Sequence, residues 1–258
     1  MAQFVAVGIY SYVLGAFMNP MLEELSWARS DFSLTRSISQ IVMAFVGILI
    51  GAKVDQIGAR PIMLVGTTIL VVSLCAHTFV TSLCMWWALN GIVVTIGCAM
   101  VGNLVVNATL SKWFFEKRGR AVAIAAMGVS FGGIAITPPI TYLIDLLGWR
   151  LSWVLLGLSA GILLYPVAMM MRKAPEDFGL LPDGKEPNSD GSRSVDAARS
   201  EFLNSYSRSE AIRTFSFYGL VLAFGCFAVN IVVVLLLSED YLAAVSYTHL
   251  RAHETKTD

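Results

Sequence analysis

Seven runs of about twenty mostly apolar residues, parted by short charged stretches, constrain this chain more than any other feature. A helix of that length crosses a bilayer with its backbone N–H and C=O groups paired internally. The runs fall near residues 4–21, 34–53, 61–81, 84–110, 121–143, 150–171 and 214–237, and each is expected to be a transmembrane helix. Composition agrees. Of 258 residues, 56% are hydrophobic and 14% charged, whereas a soluble domain carries roughly a quarter charged residues. A formal net charge of zero argues against a nucleic-acid partner, which leaves the lipid bilayer as the expected surrounding.

The connection between the second and third spans reads Gly51-Ala-Lys-Val-Asp55-Gln-Ile-Gly58-Ala-Arg60. Gly51 and Gly58 allow close backbone approach and a sharp turn. Asp55 and Arg60 can pair with each other or with a neighbouring helix end in one conformation and release in another, which suits a gate. The pattern returns as Asp145-Leu-Leu-Gly148-Trp-Arg150, so Asp55, Gly58 and Arg60 each find a counterpart 90 residues on. Three spans lie between the copies, which places them on opposite faces of the membrane and marks an inverted three-plus-three repeat.

Basic residues set the expected orientation. The 2–3, 4–5 and 6–7 connections hold thirteen Lys and Arg, against Arg29, Arg36 and Arg150 in the 1–2, 3–4 and 5–6 connections. That bias predicts a cytoplasmic N-terminus in a multi-pass protein of the cell (inner) membrane.

The spacing G-x-x-x-D-x-x-G-x-R resembles the signature loop of the major facilitator superfamily, and its second copy strengthens the likeness. Trp113-Phe-Phe-Glu-Lys-Arg118-Gly119-Arg-Ala121, Gly148-Trp-Arg150, Asn19-Pro-Met-Leu-Glu-Glu-Leu-Ser-Trp27-Ala-Arg29 and Arg172-Lys-Ala-Pro175-Glu-Asp-Phe-Gly179 are similar to stretches of its monocarboxylate and oxalate–formate branch. The resemblance implies an all-α membrane protein: the N-terminal six-helix half of a major-facilitator fold, plus a seventh transmembrane helix. It also implies a secondary carrier of small organic anions such as monocarboxylates, working by alternating access, with a coupling proton or counter-anion and no cofactor. Two departures stand out. Gln56 replaces the usual basic residue after the loop's Asp, and Asn90 stands where many members carry a basic residue early in helix four.

The expected organisation is a six-helix bundle over 1–171, a cytoplasmic linker over 172–213, a seventh helix over 214–238 and a tail over 239–258. Within the linker, Val195, Ala198, Phe202 and Tyr206 fall at helical spacing and suit a short helix on the membrane surface. The tail, from Val245-Ser-Tyr-Thr-His-Leu-Arg onward, resembles a translated sequencing adapter and is expected to be partly non-native. The branch is built from two facing halves, so the chain as given is expected to insert but not to transport alone. Met1-Ala-Gln-Phe shows no basic leader and no cleavage site, so no removable signal is expected.

No Asp, Glu, Lys or Arg falls in the middle of the seven runs, so cavity candidates are neutral: Tyr10, Tyr12, Asn103, Asn107, Ser130, Tyr142 and Asn230. Asn103 and Asn107 share a helix face and suit either one cavity or an interhelical hydrogen bond. The gating set is Gly51, Asp55, Gly58, Arg60, Arg118, Gly119, Asp145, Gly148 and Arg150. The pairs Gly47–Gly51, Gly128–Gly132 and Gly157–Gly161 suit close helix packing. Cys75, Cys84, Cys98 and Cys226 show no ligand spacing and read as small apolar residues, and His249 with His253 lacks a third metal ligand. No catalytic residue and no metal site is expected. Neither H-E-x-x-H nor G-x-S-x-G occurs, and the seventh run has no Lys for a retinal Schiff base. A non-transporting membrane sensor and a carrier of a different solute are the competing readings.

Overall fold

The computed structural model describes residues 1–173, 175, 183 and 208–227. The chain divides into two units, Met1–Ala198 and Arg199–Asp258. The described part of the first consists of helices and short connections, with no strand. Its helices are α1 (Ala2–Leu25), α2 (Arg29–Ile57), α3 (Ala59–Phe79) and α4 (Leu83–Trp113). The segment Arg118–Met170 then runs 53 residues and breaks at Gly148, giving α5 (118–147) and α6 (149–170). The described part of the second unit holds a helical turn, Arg208–Ile212, and the apolar helix Phe215–Phe227. The rest of the expected seventh span, with Asn230, lies outside the described residues. So do the linker positions Val195, Ala198, Phe202 and Tyr206.

Helices α1, α2, α4 and α5 outrun their apolar runs at both ends. Helix α2 begins at Arg29 rather than at residue 34, because backbone pairing continues into polar sequence once Asp31 occupies the first turn. The expected ten-residue connection between α2 and α3 shrinks to one residue. Gly51 and Asp55 are helical, and the chain reverses at Gly58, where φ is +85° and ψ 170°. Gly148 adopts φ +78° and ψ 163°. The two motif glycines thus share a backbone conformation that belongs almost entirely to glycine, and the sequence repeat is a repeat of turn geometry.

Small residues set the helix contacts. A Cβ on Gly132 of α5 would stand 2.6 Å from the Phe4 carbonyl of α1, and one on Gly66 of α3 would stand 2.5 Å from Met100 Cβ of α4. Gly157 and Gly161 of α6 press on Val71, Leu74 and Cys75 of α3. Gly51 has nothing within 4 Å and Gly47 meets only Leu104 Cδ1 at 3.7 Å, so that pair does not bring helices close. Its spacing matches a packing motif, but among the described residues no helix backbone presses on it, and Gly47 borders a cavity.

An aromatic core closes the end of the bundle opposite Met1. Phe17 of α1 stacks on Trp153 of α6 with centroids 3.9 Å apart, and Phe32 of α2 stacks on Trp86 of α4 at 4.7 Å. His77 is fully enclosed between the two tryptophans. Its Nδ1 lies 2.6 Å from the Ser73 carbonyl, so it donates there, and Nε2 faces the Asn90 amide at 3.4 Å. Those contacts make it a packed histidine. Asn90 serves it from the position where a basic residue is absent.

Candidate functional site

Two helices leave regular α geometry at the same level of the bundle. Helix α1 carries a π-turn over Gly8–Val13, and α4 breaks at Gly102, whose backbone is extended. A Cβ on Gly102 would lie 2.6 Å from the Cys98 carbonyl, so the break needs glycine. Such irregular turns recur at functional sites because they redirect side chains and free backbone groups. Between them and α2 lies a cavity of about 440 Å³, within the range of small-molecule sites. From α2 it receives Arg36, Gln40, Met43 and Gly47, which follow one helix face. Tyr10 and Ser11 enter from α1, and Asn103 from just beyond the α4 break.

Arg36 stands at the edge of the second apolar run, where the count of basic residues assigns it to the 1–2 connection. The earlier start of α2 puts it seven residues inside a membrane helix, about 10 Å from the helix end at the usual rise per residue. Its Nη1 donates to the Tyr10 backbone carbonyl at 2.6 Å, and its guanidinium lies 4.4 Å from the Tyr10 ring centroid. Arg36 is half-buried. A cation at the centre of a membrane helix costs about 2.5–3.5 kcal/mol; here partial exposure, the carbonyl and the ring face lower that cost. The Tyr10 hydroxyl is itself enclosed, with no hydrogen-bond partner among the described residues. Among the described residues, no Asp or Glu lines the cavity.

The other neutral candidates lie elsewhere. The Asn107 Oδ1 accepts from Gln3 Nε2 at 3.0 Å, so it joins α1 to α4. The Tyr12 ring covers Gly133 of α5. Ser130 and Tyr142 are exposed along α5. Tyr10 and Asn103 are thus the two candidates that meet at the cavity.

One charged motif residue makes an ion pair at each end of the bundle. At the end that carries Met1, Lys112 Nζ of α4 lies 2.8 Å from Asp55 Oδ1, and Lys173 Nζ donates to the Gln56 carbonyl at 2.8 Å. Arg60 is exposed, with no partner among the described residues. In the 4–5 connection, Arg118 lies over the Phe115 ring and Gly119 stands in open space. Asp183 accepts from the backbone N–H groups of Phe115, Glu116 and Lys117. Partial burial pushes the Asp183 carboxyl up, but those three donors outweigh it and hold the group below its ordinary value.

At the far end, Arg150 Nη2 pairs with Glu24 Oε1 at 2.8 Å. Its Nη1 donates to the carbonyls of Thr78 and Val80, its guanidinium covers the Trp149 ring, and Trp149 Nε1 donates to the other Glu24 oxygen. Asp145 is exposed, with no partner among the described residues.

A family model described as Major Facilitator Superfamily matches residues 1–248. The chain belongs to the major facilitator superfamily. Among curated relatives, it is similar to the uncharacterized MFS-type transporter YcxA of Bacillus subtilis, 25% identical over 62% of this chain and 39% of that protein. It is likewise similar to monocarboxylate transporter 7 of Homo sapiens, 25% identical over 67% of this chain and 34% of that protein. Monocarboxylate transporter 4 of Rattus norvegicus is 28% identical over 68% of this chain and 36% of its own length. The chain therefore spans between about a third and two fifths of these relatives. Their shared family makes it a multi-pass membrane protein of a transporter superfamily, and its first unit is the N-terminal half of that fold.

Proposed function

We propose that the protein to which this chain belongs is a secondary carrier of small organic anions such as monocarboxylates, working by alternating access with a proton or counter-anion as coupling partner. The observation that carries this reading is the repeated turn. The same glycine conformation at Gly58 and Gly148 sits beside an ion pair at each end of the six-helix half, as a gate that closes alternately on two sides requires. The substrate class rests on relatives whose names specify monocarboxylates. The basic bias of the 2–3, 4–5 and 6–7 connections supports a cytoplasmic N-terminus in the cell membrane.

The test is uptake in proteoliposomes by the full reading frame that contains this segment. Saturable, gradient-stimulated uptake of a short monocarboxylate is expected. Uptake confined to uncharged solutes would remove the anion reading, and binding without flux would make the protein a sensor. For orientation, cysteines at Gln56 and Leu147, both exposed in the bundle, are introduced into a Cys-free background. The first should resist impermeant thiol reagents in intact cells and the second should react. The reverse pattern would invert the topology.

A further inference from the structure

We propose that Arg36 is the charge-selecting anchor of the cavity between α1, α2 and α4, taking the carboxylate of a small monoanion. The inference rests on the organic-anion reading and goes beyond it by assigning the recognition to one side chain of this half. Three observations converge on it. First, among the described residues Arg36 is the one charged residue lining the cavity, so a ligand entering this half meets a single positive charge. Second, that charge has no carboxylate partner among the described residues. A guanidinium has five N–H donors in a planar fork. One goes to the Tyr10 carbonyl, and the others have no partner among the described residues. A carboxylate matches that fork in shape and charge.

Third, the surroundings hold the fork in place and leave it reachable. The Tyr10 carbonyl and ring grip the guanidinium from α1. Gln40, one turn further along α2, and Asn103, at the α4 break, bring neutral amides to the same space. Such groups can hydrogen-bond an oxygen substituent of the ligand without adding charge. A single cation favours a monoanion over a dianion, whose second charge would stand unpaired in an apolar enclosure. Because Arg36 reaches α1 at its π-turn, occupancy of the fork also bears on the helix that ends at Glu24, the partner of Arg150.

The experiment measures uptake by the full reading frame, with L-lactate and its uncharged amide, lactamide, as competing probes, in wild type, Arg36→Gln and Arg36→Lys. Arg36→Gln should raise the KM for lactate about tenfold or more, as loss of a hydrogen bond to a charged group implies. Inhibition by lactamide should change little, so the preference for the anion disappears. Arg36→Lys keeps the charge and a donor for the Tyr10 carbonyl, and should retain the preference with weaker affinity. Should Arg36→Gln fail to fold, Arg36→Lys decides: loss of the anion preference in that variant overturns the anchor. Equal loss of both probes in Arg36→Gln, with no rescue by lysine, would make Arg36 a prop for the α1 turn and overturn it as well. An unchanged lactate KM in Arg36→Gln removes the anchor and leaves the organic-anion reading standing. A wild type that carries no monocarboxylate removes both.

Discussion

At the Met1 end of the bundle, the turn at Gly58 is flanked by Asp55, which reaches Lys112 of α4, while Arg60 points to solvent. At the opposite end, the turn at Gly148 is flanked by Arg150, which reaches Glu24 of α1 and the carbonyls of Thr78 and Val80, while Asp145 points to solvent. The motif letters are alike, and the backbone at the glycine is alike. The charge that makes the contact is opposite. The repeat therefore preserves the reversal of the chain and leaves each end to find its own partners. It also leaves the ends unequal. Asp55 is 70% exposed in its pair, where an ion pair is worth little. Arg150 is two-thirds covered and satisfies two backbone carbonyls besides its carboxylate.

The strongest way to break this comparison is to attack what the two ends share. Alanine at Gly58 or Gly148 must adopt a conformation that costs about 1–3 kcal/mol for a residue with a Cβ. Both variants should unfold at lower temperature in detergent. Gly58→Ala should lose more, because its Cβ would lie 3.0 Å from Lys173 Cβ, whereas the space around Gly148 is open. A Gly148→Ala protein as stable as wild type would show that the shared turn is not needed at both ends.

The next effect separates the ends. Arg150→Ala leaves Glu24 without its cation and two carbonyls without a donor, and should cost about 1–2 kcal/mol after allowance for partial exposure. Asp55→Asn should cost less than about 1 kcal/mol, yet slow transport in the full reading frame at matched expression. A double-mutant cycle sharpens this. Asp55→Asn with Lys112→Met should be less than additive, whereas Asp55→Asn with Arg60→Ala should be additive, since those two side chains do not meet. Coupling to Arg60 would mean that the pair changes partner in another conformation.

Much of this architecture is legible in the amino-acid sequence. The number and order of the first six spans follow from apolar runs, and the repeat follows from three residues at one offset. What stays hidden there has physical causes. Arg36 stands in Arg29-Ser-Asp-Phe-Ser-Leu-Thr-Arg-Ser, a stretch polar enough to read as a loop. The signal that could have found it is Phe32, Thr35 and Ser39, all buried and spaced as one helix face. The π-turn at Gly8–Val13 has no sequence mark, so nothing in the chain announces why Tyr10 faces the cavity and Asn107 does not. The choice of Asp55 at one end and Arg150 at the other depends on Lys112 and Glu24, which only packing brings near.

The smallest effect concerns a third tie, present at the Met1 end. The Asp183 carboxylate caps the three backbone N–H groups that open α5, at 3.2 Å from Phe115, 2.8 Å from Glu116 and 3.3 Å from Lys117. Its folded pKa is lowered from 3.8, so the sign is that of a depressed acid. The stabilisation is complete above the unfolded value of 3.8 and is lost as pH falls through the lower folded value. Asp183→Asn removes the charge at every pH. At neutral pH the 115–117 amides should exchange hydrogen faster in Asp183→Asn than in wild type, while the amides around Gly148 stay unchanged. As pH falls below 3.8, the stabilities of the two proteins should converge. A difference that persists in acid would mean that the asparagine disturbs the cap by shape rather than by charge. A change that spreads to the Gly148 end would show that the two ends are coupled through the bundle.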